Sequence, residues 1–154
     1  MSANECYAYF GLSGPSLDPE AVSVALKLVP TKVERVGDMR RNGKKREAGA
    51  WQLNDRIPRD ARVDFEARVK DVLDQLEPCL DAAASLCKTN YGMIMLVGYF
   101  NEYDPGLWLE ADTVARLGRL GAAFHCDFYH LIEEEPNQPV QTTTTAVTPA
   151  AAQP

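Results

Sequence analysis

Apolar residues recur along the chain with two spacings, one typical of β-strands and the other of helices. Short alternating or nearly continuous apolar stretches predict strands, because side chains in a strand point alternately to the two faces of a sheet. These stretches are residues 6–10, 31–36, 50–53, 93–100 and 122–132. The nearly all-apolar run at 93–100 predicts a strand covered on both faces, and residues 11–16 predict a turn.

The first predicted helix begins at Asp18. This side chain can accept hydrogen bonds from the free amides of a helix start, and Pro19 fits the first helical position because it has no amide hydrogen. Pro30 is predicted to end the helix. Its apolar face consists of Val22, Leu26 and Val29, at the spacing i, i+4, i+7.

Two further helices are predicted in the rest of the chain. The second has Asp60 as its cap, and Pro78 interrupts it before a further turn or two over 79–87. The third spans 111–120 and ends at Gly121, the residue type best suited to a helix C-terminus.

The order of these elements predicts an α+β fold, with a mainly antiparallel sheet of about five or six strands covered by two or three helices. The predicted core consists of Phe10, Val22, Leu26, Trp51, Phe65, Val69, Leu73, Leu96, Val114, Leu117, Phe124 and Phe128. Similar strand–turn–helix patterns occur at 9–28 and 99–120. Two interpretations of this internal similarity stay open. The domain consists of two related strand–helix–strand halves, or the similarity arose by chance.

Length and composition predict a single globular domain at 1–132 followed by a tail at 133–154. Residues 136–154 carry no charge and show no apolar periodicity. Such a segment buries too little apolar surface to offset its conformational entropy, so the tail is predicted to be disordered.

The charge of the chain is unevenly spread. The formal net charge is -6, which gives no overall signature for binding nucleic acid or an anionic membrane. Residues 27–70 hold 13 Lys and Arg against 7 Asp and Glu, whereas residues 71–154 hold 3 against 12. A basic side and an acidic side are therefore expected, and such a dipole can steer the approach of a partner.

The beginning of the sequence shows no signal-peptide pattern, and the longest apolar run, 93–97, is far too short to span a bilayer. A cytoplasmic location is therefore expected, where thiols stay reduced. The four cysteines form no CxxC pair and are interpreted as small apolar side chains. No cofactor or metal signature is present, and no membrane contact is expected.

The most visible candidate site is a basic loop between two predicted strands of a hairpin. It contains Arg40, Arg41, Lys44, Lys45 and Arg46. Clustered cations can hold phosphates or an acidic partner. A solvated hairpin tip is the favoured interpretation, because nucleic-acid binding usually adds aromatic residues or a groove-binding helix.

A second candidate lies in the last predicted strand, where His125 and Asp127 share one face and His130 lies on the other. A buried Asp127 with His125 beside it could serve as a general acid or base. A metal site needs three or four converging ligands, so none is predicted. The favoured role for Asp127 is structural, as an acceptor of hydrogen bonds from the backbone or from tyrosine.

Aromatic residues cluster around a loop rich in Gly, Asn and Pro. They are Tyr91, Tyr99, Tyr103 and Trp108. Amphipathic aromatic side chains on a loop can contact a partner protein. Packing in the core or at its rim is the favoured interpretation for most of them.

Taken in order, several short motifs resemble a family of short bacterial proteins known as domain of unknown function 4279. The motifs are Leu17-Asp18-Pro19-Glu20, Leu28-Val29-Pro30-Thr31, Gly37-Asp38, the lone Trp51 of its strand, the Leu-rich middle helix, the helix from Leu109 to Gly121 and the closing strand with Asp127. The resemblance covers most of residues 5–132 and implies a fold. Genes of this kind often look like accessory or toxin-neutralising neighbours, and no functional residue can be carried over.

These observations give one leading functional hypothesis and two alternatives. The leading one is a non-enzymatic protein-binding module with another protein as its partner, in a toxin-neutralising, immunity-like role. The first alternative is a binder of anions or nucleic acid through residues 40–46. The second is an enzyme that uses Asp127 and His125 as acid and base. The oligomeric state is left open.

Overall fold

The computed structural model describes residues 4–101 and 105–131. The elements follow in the order β1 (Glu5–Gly14), α1 (Pro19–Leu26), β2 (Lys32–Glu34), β3 (Gly49–Asn54), α2 (Phe65–Leu76), a 3-10 turn (Glu77–Cys79), α3 (Leu80–Thr89), β4 (Tyr91–Phe100), α4 (Ala111–Leu120) and β5 (Ala123–His130). The predicted tail at 133–154 lies outside the described residues, so its disorder stays a prediction.

The described strands form one open sheet in the order β2-β3-β1-β4-β5, which is not closed into a barrel. Neighbouring strands are antiparallel except β4 and β5, which are parallel. A single 3-10 turn at Pro78 joins α2 to α3, so the helical layer consists of α1, the α2–α3 segment and α4. The predicted α+β fold is confirmed. No helix in the described part of the chain is long and apolar enough to cross a membrane.

The internal echo seen in the sequence has a counterpart in the topology. Because β2 and β1 both run antiparallel to β3, they are parallel to each other, and α1 connects them. Likewise α4 connects β4 to the parallel strand β5. Each half is therefore a strand, a helix and a parallel strand, with β3 inserted between the two strands of the first half. Whether a duplication produced this arrangement stays a hypothesis.

Helix α1 begins as predicted but ends early. The Asp18 carboxylate accepts a hydrogen bond from the Glu20 amide at 3.0 Å, and Pro19 occupies the first turn. Lys27 adopts the left-handed conformation, with φ of 55°, and ends the helix after Leu26. The prediction that Pro30 ends the helix is therefore wrong, and Val29 is exposed instead of lying on the apolar face.

The predicted turn at 11–16 is largely replaced by strand. Strand β1 continues to Gly14 because its last residues have a partner strand on both sides. Leu12, for example, lies opposite Trp51 of β3 and opposite Gly92 of β4. The residues at 11–16 favour a turn, but hydrogen bonding of β1 to strands on both sides keeps the chain extended to Gly14.

Helix α2 is capped by Asp64 and not by Asp60. The Asp64 carboxylate accepts a hydrogen bond from the Ala67 amide at 2.9 Å, and the helix begins at Phe65. Asp60 lies in the turn that precedes it, where the Ala61 amide donates to the carbonyl of Pro58 at 3.0 Å.

The core lies between the helices and one face of the sheet. The predicted core residues from Phe10 to Leu96 are all buried there. Leu117, Phe124 and Phe128 pack against this core and are partly buried. The prediction for Val114 is wrong, since its side chain is 53% exposed.

A buried hydrogen bond explains why Val114 points outward. The Thr113 hydroxyl donates to the Glu66 carboxylate of α2 at 2.6 Å, and the Glu110 amide donates to the same carboxylate at 2.8 Å. Positions 113, 117 and 120 of α4 therefore face the core, and Val114 is turned away. Both hydrogen bonds stabilise the charged form of Glu66 and lower the pKa of its carboxyl group.

We expect Trp51→Ala to lower the free energy of unfolding by about 3–5 kcal/mol, because a fully buried ring is replaced by a cavity. The Trp51 ring is 0% exposed, meets Phe10 edge-on at 6.3 Å, and donates from Nε1 to Ser23 Oγ at 2.9 Å. Urea unfolding followed by far-UV circular dichroism measures the loss.

The matched control for this prediction is Trp108→Ala, since Trp108 is 66% exposed and should leave the unfolding midpoint nearly unchanged. A Trp51→Ala protein as stable as the wild type would show that the ring does not anchor the core.

Candidate functional site

None of the helices in the described part of the chain packs on one face of the sheet, which is here called the open face. All four α-helices contribute to a core that meets the opposite face, through alternate strand residues such as Phe10 and Ile94. The strand registers place the intervening side chains together on the open face. These side chains include Tyr7, Tyr9, Tyr91, Met93, Met95, Val97, Tyr99, His125, Asp127 and Tyr129.

Tyrosine rings are organised in pairs on the open face. Tyr7 and Tyr9 are stacked with ring centroids 6.3 Å apart, and Tyr99 and Tyr129 are stacked at 5.1 Å. Val97 is only 5% exposed although no helix of the described residues packs on this side. The surrounding side chains therefore close over the centre of the face, and apart from His125 and Asp127 they are aromatic or apolar.

The hydroxyl groups of Tyr7 and Tyr9 remain protonated at neutral pH. Burial, followed by the nearby Tyr99, raises the pKa of Tyr7. Burial and the negative charge of Asp127 raise the pKa of Tyr9. These hydroxyls can therefore donate and accept hydrogen bonds at the surface, but they are poor nucleophiles and poor bases.

Arg59 extends the open face along its β1 side. Its guanidinium carbon lies 4.1 Å from the centroid of the Tyr7 ring, which is cation–π geometry. Arg59 belongs to the segment between β3 and α2, which has no regular secondary structure over residues 55–64. Its position must therefore be set by contacts outside the hydrogen-bond ladders of the sheet.

A buried ion pair holds that segment in place. Arg68 of α2 and Asp55 are each 1% exposed in their side chains, and Arg68 Nη1 lies 2.9 Å from Asp55 Oδ1. The same guanidinium donates to the carbonyl oxygens of Ile57 at 2.5 Å and Pro58 at 2.7 Å. The other Asp55 oxygen accepts from the Ala8 amide of β1 at 2.6 Å. One cluster thus joins β1, α2 and the segment that carries Arg59.

The structure brings His125 and Asp127 to the same face, as the alternation predicted. His125 Nε2 lies 2.6 Å from the Tyr91 hydroxyl, and the rings meet edge-on. Both His125 and Asp127 are exposed on β5. In the described part of the chain, no group of three or more His, Cys, Asp or Glu side chains is arranged to hold a metal ion.

Neither of two cavities in the described part of the chain is lined by His125 or Asp127. One, of about 1040 Å³, lies where α1 ends beside the α2–α3 junction, and the other, of about 290 Å³, lies beside Trp108. An acid–base pair in an enzyme usually faces a concave site that excludes water. These two cavities give no support to a role of His125 and Asp127 in catalysis, which stays a hypothesis.

The basic loop is an ordered extension of the β2–β3 hairpin. Backbone hydrogen bonds cross it, including one from the Gly37 amide to the Arg46 carbonyl and one from the Arg40 amide to the Lys44 carbonyl, both 2.8 Å. The Asp38 carboxylate closes its beginning by accepting from the Arg35 amide at 2.9 Å. The loop therefore presents its side chains from a defined backbone.

The five cations of this loop divide into two groups. Arg46 is partly buried and pairs with Glu34 at 2.5 Å. Arg40, Arg41, Lys44 and Lys45 are exposed, and none of them has a carboxylate partner among the residues that the structure describes. These four are here called the free cations of the tip, and they are available to a partner.

The predicted aromatic cluster is only partly gathered. Tyr91 and Tyr99 lie on the open face, whereas Trp108 lies beside the smaller cavity, near the start of α2. Tyr103 lies outside the described residues. The sequence interpretation missed Tyr7, Tyr9, Met93 and Met95 as surface residues. The helices of the described residues cover strand β4 on one face only, so the prediction of cover on both faces is wrong for this part of the chain.

The fold and the site together define an open-faced, two-layer α+β protein with an aromatic sheet surface. Residues 4–131 match the family described as Domain of unknown function (DUF4279), and the chain belongs to this family. The resemblance noted in the sequence is confirmed. Searches of the curated proteins and of the solved structures found no match.

We expect Arg68→Ala to lower the free energy of unfolding by about 3–5 kcal/mol, because it leaves the Asp55 carboxylate buried without its counter-charge. The double variant Asp55→Asn, Arg68→Met replaces both charged partners. It should lower the free energy of unfolding by less than Arg68→Ala alone, because no uncompensated charge remains buried. Chemical denaturation of the three proteins measures the difference.

The control for the ion pair is Arg56→Ala, in the same segment. Arg56 pairs with Asp71 at 2.6 Å but its side chain is 64% exposed, so its loss should hardly shift the unfolding midpoint. Equal effects of Arg56→Ala and Arg68→Ala would contradict the anchoring role assigned to Arg68.

For the hairpin tip, we expect Lys44→Ala with Lys45→Ala to leave stability unchanged, because both side chains are exposed and unpaired among the described residues. Arg46→Ala should lower the free energy of unfolding by about 0.5–1 kcal/mol, because it removes the partly buried ion pair with Glu34. Thermal unfolding of the double and single variants compares them. A large loss for the double variant would show that the tip packs on the domain.

Proposed function

We propose that this protein is a non-enzymatic protein-binding module and that its open face binds the partner. The observation that carries the proposal is the aromatic and apolar surface around Val97, on a side of the sheet that no described element covers. Large surface patches rich in apolar side chains and bordered by polar ones mark interaction sites.

The residue types on the open face support a protein partner. Tyr, Met and Arg are enriched in the cores of protein–protein interfaces, and all three occur here. The stacked tyrosines have few rotamers left to lose on binding, so their contacts cost little conformational entropy. Their hydroxyl groups can satisfy polar groups at the rim of a contact.

The charges around the face indicate the chemistry of the partner. Arg59 borders the face on its β1 side, and the free cations of the tip extend from the β2–β3 hairpin. We therefore infer a partner whose binding surface combines apolar side chains with acidic ones. The tip would act mainly on the rate of association, by steering an acidic surface toward the open face.

In the cell, we propose that this protein neutralises a toxin in an immunity-like role. The support for this role is the family resemblance. We also infer a bacterial, cytoplasmic setting. The four cysteines are free thiols, which is typical of proteins from reducing compartments.

The experiment that tests this function is affinity capture of the partner with two matched baits. Tyr9→Ala with Met95→Ala removes two side chains that lie opposite each other on the open face. Trp108→Ala removes an exposed aromatic side chain elsewhere. Wild type and Trp108→Ala should capture the same stoichiometric partner, and the double variant should bind it at least about tenfold more weakly.

Calorimetry with the purified partner gives the affinities, and thermal unfolding verifies that each bait is folded. Undiminished binding by a folded Tyr9→Ala, Met95→Ala protein would show that the open face is not the binding surface.

A second candidate function is the binding of a polyanion, such as nucleic acid, through residues 40–46. One observation favours it, namely that the ordered tip carries the four free cations. Four phosphate contacts would give a logarithmic salt slope of about −3 for a single strand, and Lys44→Ala with Lys45→Ala would reduce its magnitude by about half. Fluorescence anisotropy with a labelled oligonucleotide measures the slope. No binding at low salt would exclude this candidate.

A further inference from the structure

Strand β5 leaves a long sheet edge unpaired. It spans Ala123–His130 at one end of the strand order, and no described element lies beyond it. The opposite edge strand, β2, has only three residues and carries the paired charges of Lys32 and Glu34. Short, charged edges resist pairing with other chains, whereas long exposed edges are templates for an added strand.

The backbone groups of this edge can be assigned from one hydrogen bond. The Leu131 amide donates to the Phe100 carbonyl of β4 at 2.7 Å. Because the direction of backbone groups alternates along a strand, the odd-numbered residues of β5 point their amides and carbonyls toward β4. The amides and carbonyls of Phe124, Cys126 and Phe128 therefore point outward and are available to a further strand.

We propose that a second copy of this chain binds this edge, with β5 antiparallel to β5 and Cys126 opposite Cys126 of the second copy. The two sheets then form one continuous sheet about a two-fold axis. This inference rests on the edge of the sheet and does not depend on the function proposed for the open face.

The side chains of β5 select this register. Paired residues must lie on the same face of the sheet, which leaves two registers that keep most of the strand, centred on Cys126 or on Asp127. Centring on Asp127 would place two carboxylates directly opposite each other, which is unfavourable. Centring on Cys126 places His125 opposite Asp127 twice, on the open face, and Phe124 opposite Phe128 twice, on the helix side.

The hydrogen-bond pattern supports the same register. His125 and Asp127 would form the pairs without backbone hydrogen bonds, in which opposite side chains are closer. His125 Nε2 already contacts the Tyr91 hydroxyl, which leaves Nδ1 to meet the carboxylate of the second copy. The edge is therefore self-complementary in its hydrogen-bonding groups.

Helix α4 provides a second, independent observation. It leads directly into β5 and packs on α2 and α3, and the side opposite these contacts is exposed. The exposed residues of α4 include four small or apolar ones, Ala111, Val114, Ala115 and Gly118, beside the charged Asp112 and Arg119. The two-fold axis would place both α4 helices on the same side of the joined sheet, where such small side chains permit a close approach. Cover by the second copy would explain the exposed Val114.

The first test is the mass of the full chain in solution, by light scattering or sedimentation at concentrations from about 1 to 100 µM. We expect a dimer with twice the monomer mass of 17.0 kDa. A monomeric mass at every concentration would overturn the proposal, even if some other segment or partner were found on the β5 edge.

The second test uses the native thiol at the centre of the register. Hydrogen-bonded antiparallel partners have Cα atoms about 5.5 Å apart, within the range that a disulfide spans. Mild oxidation, or a short thiol-specific cross-linker, should give a covalent dimer in the wild type and in Cys79→Ser but not in Cys126→Ser. A dimer that does not cross-link through Cys126 would show a different interface and overturn the proposal.

The third test is a charge swap. His125→Asp should weaken dimerisation by about tenfold or more, because it places carboxylates opposite Asp127. Adding Asp127→His restores complementary pairs in this register, so the double variant should return to within about threefold of the wild type. Thermal unfolding verifies the fold of each variant, and failure of the double variant to recover would rule out this register.

Discussion

The buried pair of Asp55 and Arg68 is the interaction on which the arrangement of this protein depends. A charged pair at 1% exposure is stable only when nearly every donor and acceptor is satisfied. Here the partners that satisfy it are backbone groups of β1 and of the segment after β3. The need to complete these hydrogen bonds fixes a segment that has neither helix nor strand to hold it.

That constraint extends to the surface. The same segment carries Arg59 to the ring of Tyr7, and Tyr7 is stacked on Tyr9. A charge buried on the helix side of the sheet thus sets the border of the aromatic surface on the other side. The open face and the core are therefore not independent, and a change in the ion pair would alter both stability and the proposed binding surface.

The sequence allowed the fold class, most strands and most of the core to be predicted, because alternation and helical spacing report directly on burial. It failed where long-range contacts decide. Val114 has the right spacing for the core, but the hydrogen bonds of Glu66 rotate α4 away from it. The glycines after Phe10 favour a turn, but pairing on both sides keeps them in the strand. The open face was not predicted because β4 is apolar at almost every position. Its sequence pattern therefore could not show which of its two faces the described helices cover.

The position of β1 in the sheet has a consequence for how the protein forms during synthesis. This first strand is central, and its neighbour β4 pairs Tyr99 with Glu5 across most of the domain. While the chain emerges from the ribosome, β1 can pair with β3 early, but its other edge stays open until residue 100 has been released. Folding of such non-local pairs is slow, and the open edge is a site for aggregation in the meantime. The order of synthesis therefore exposes one edge of the central strand until β4 is complete.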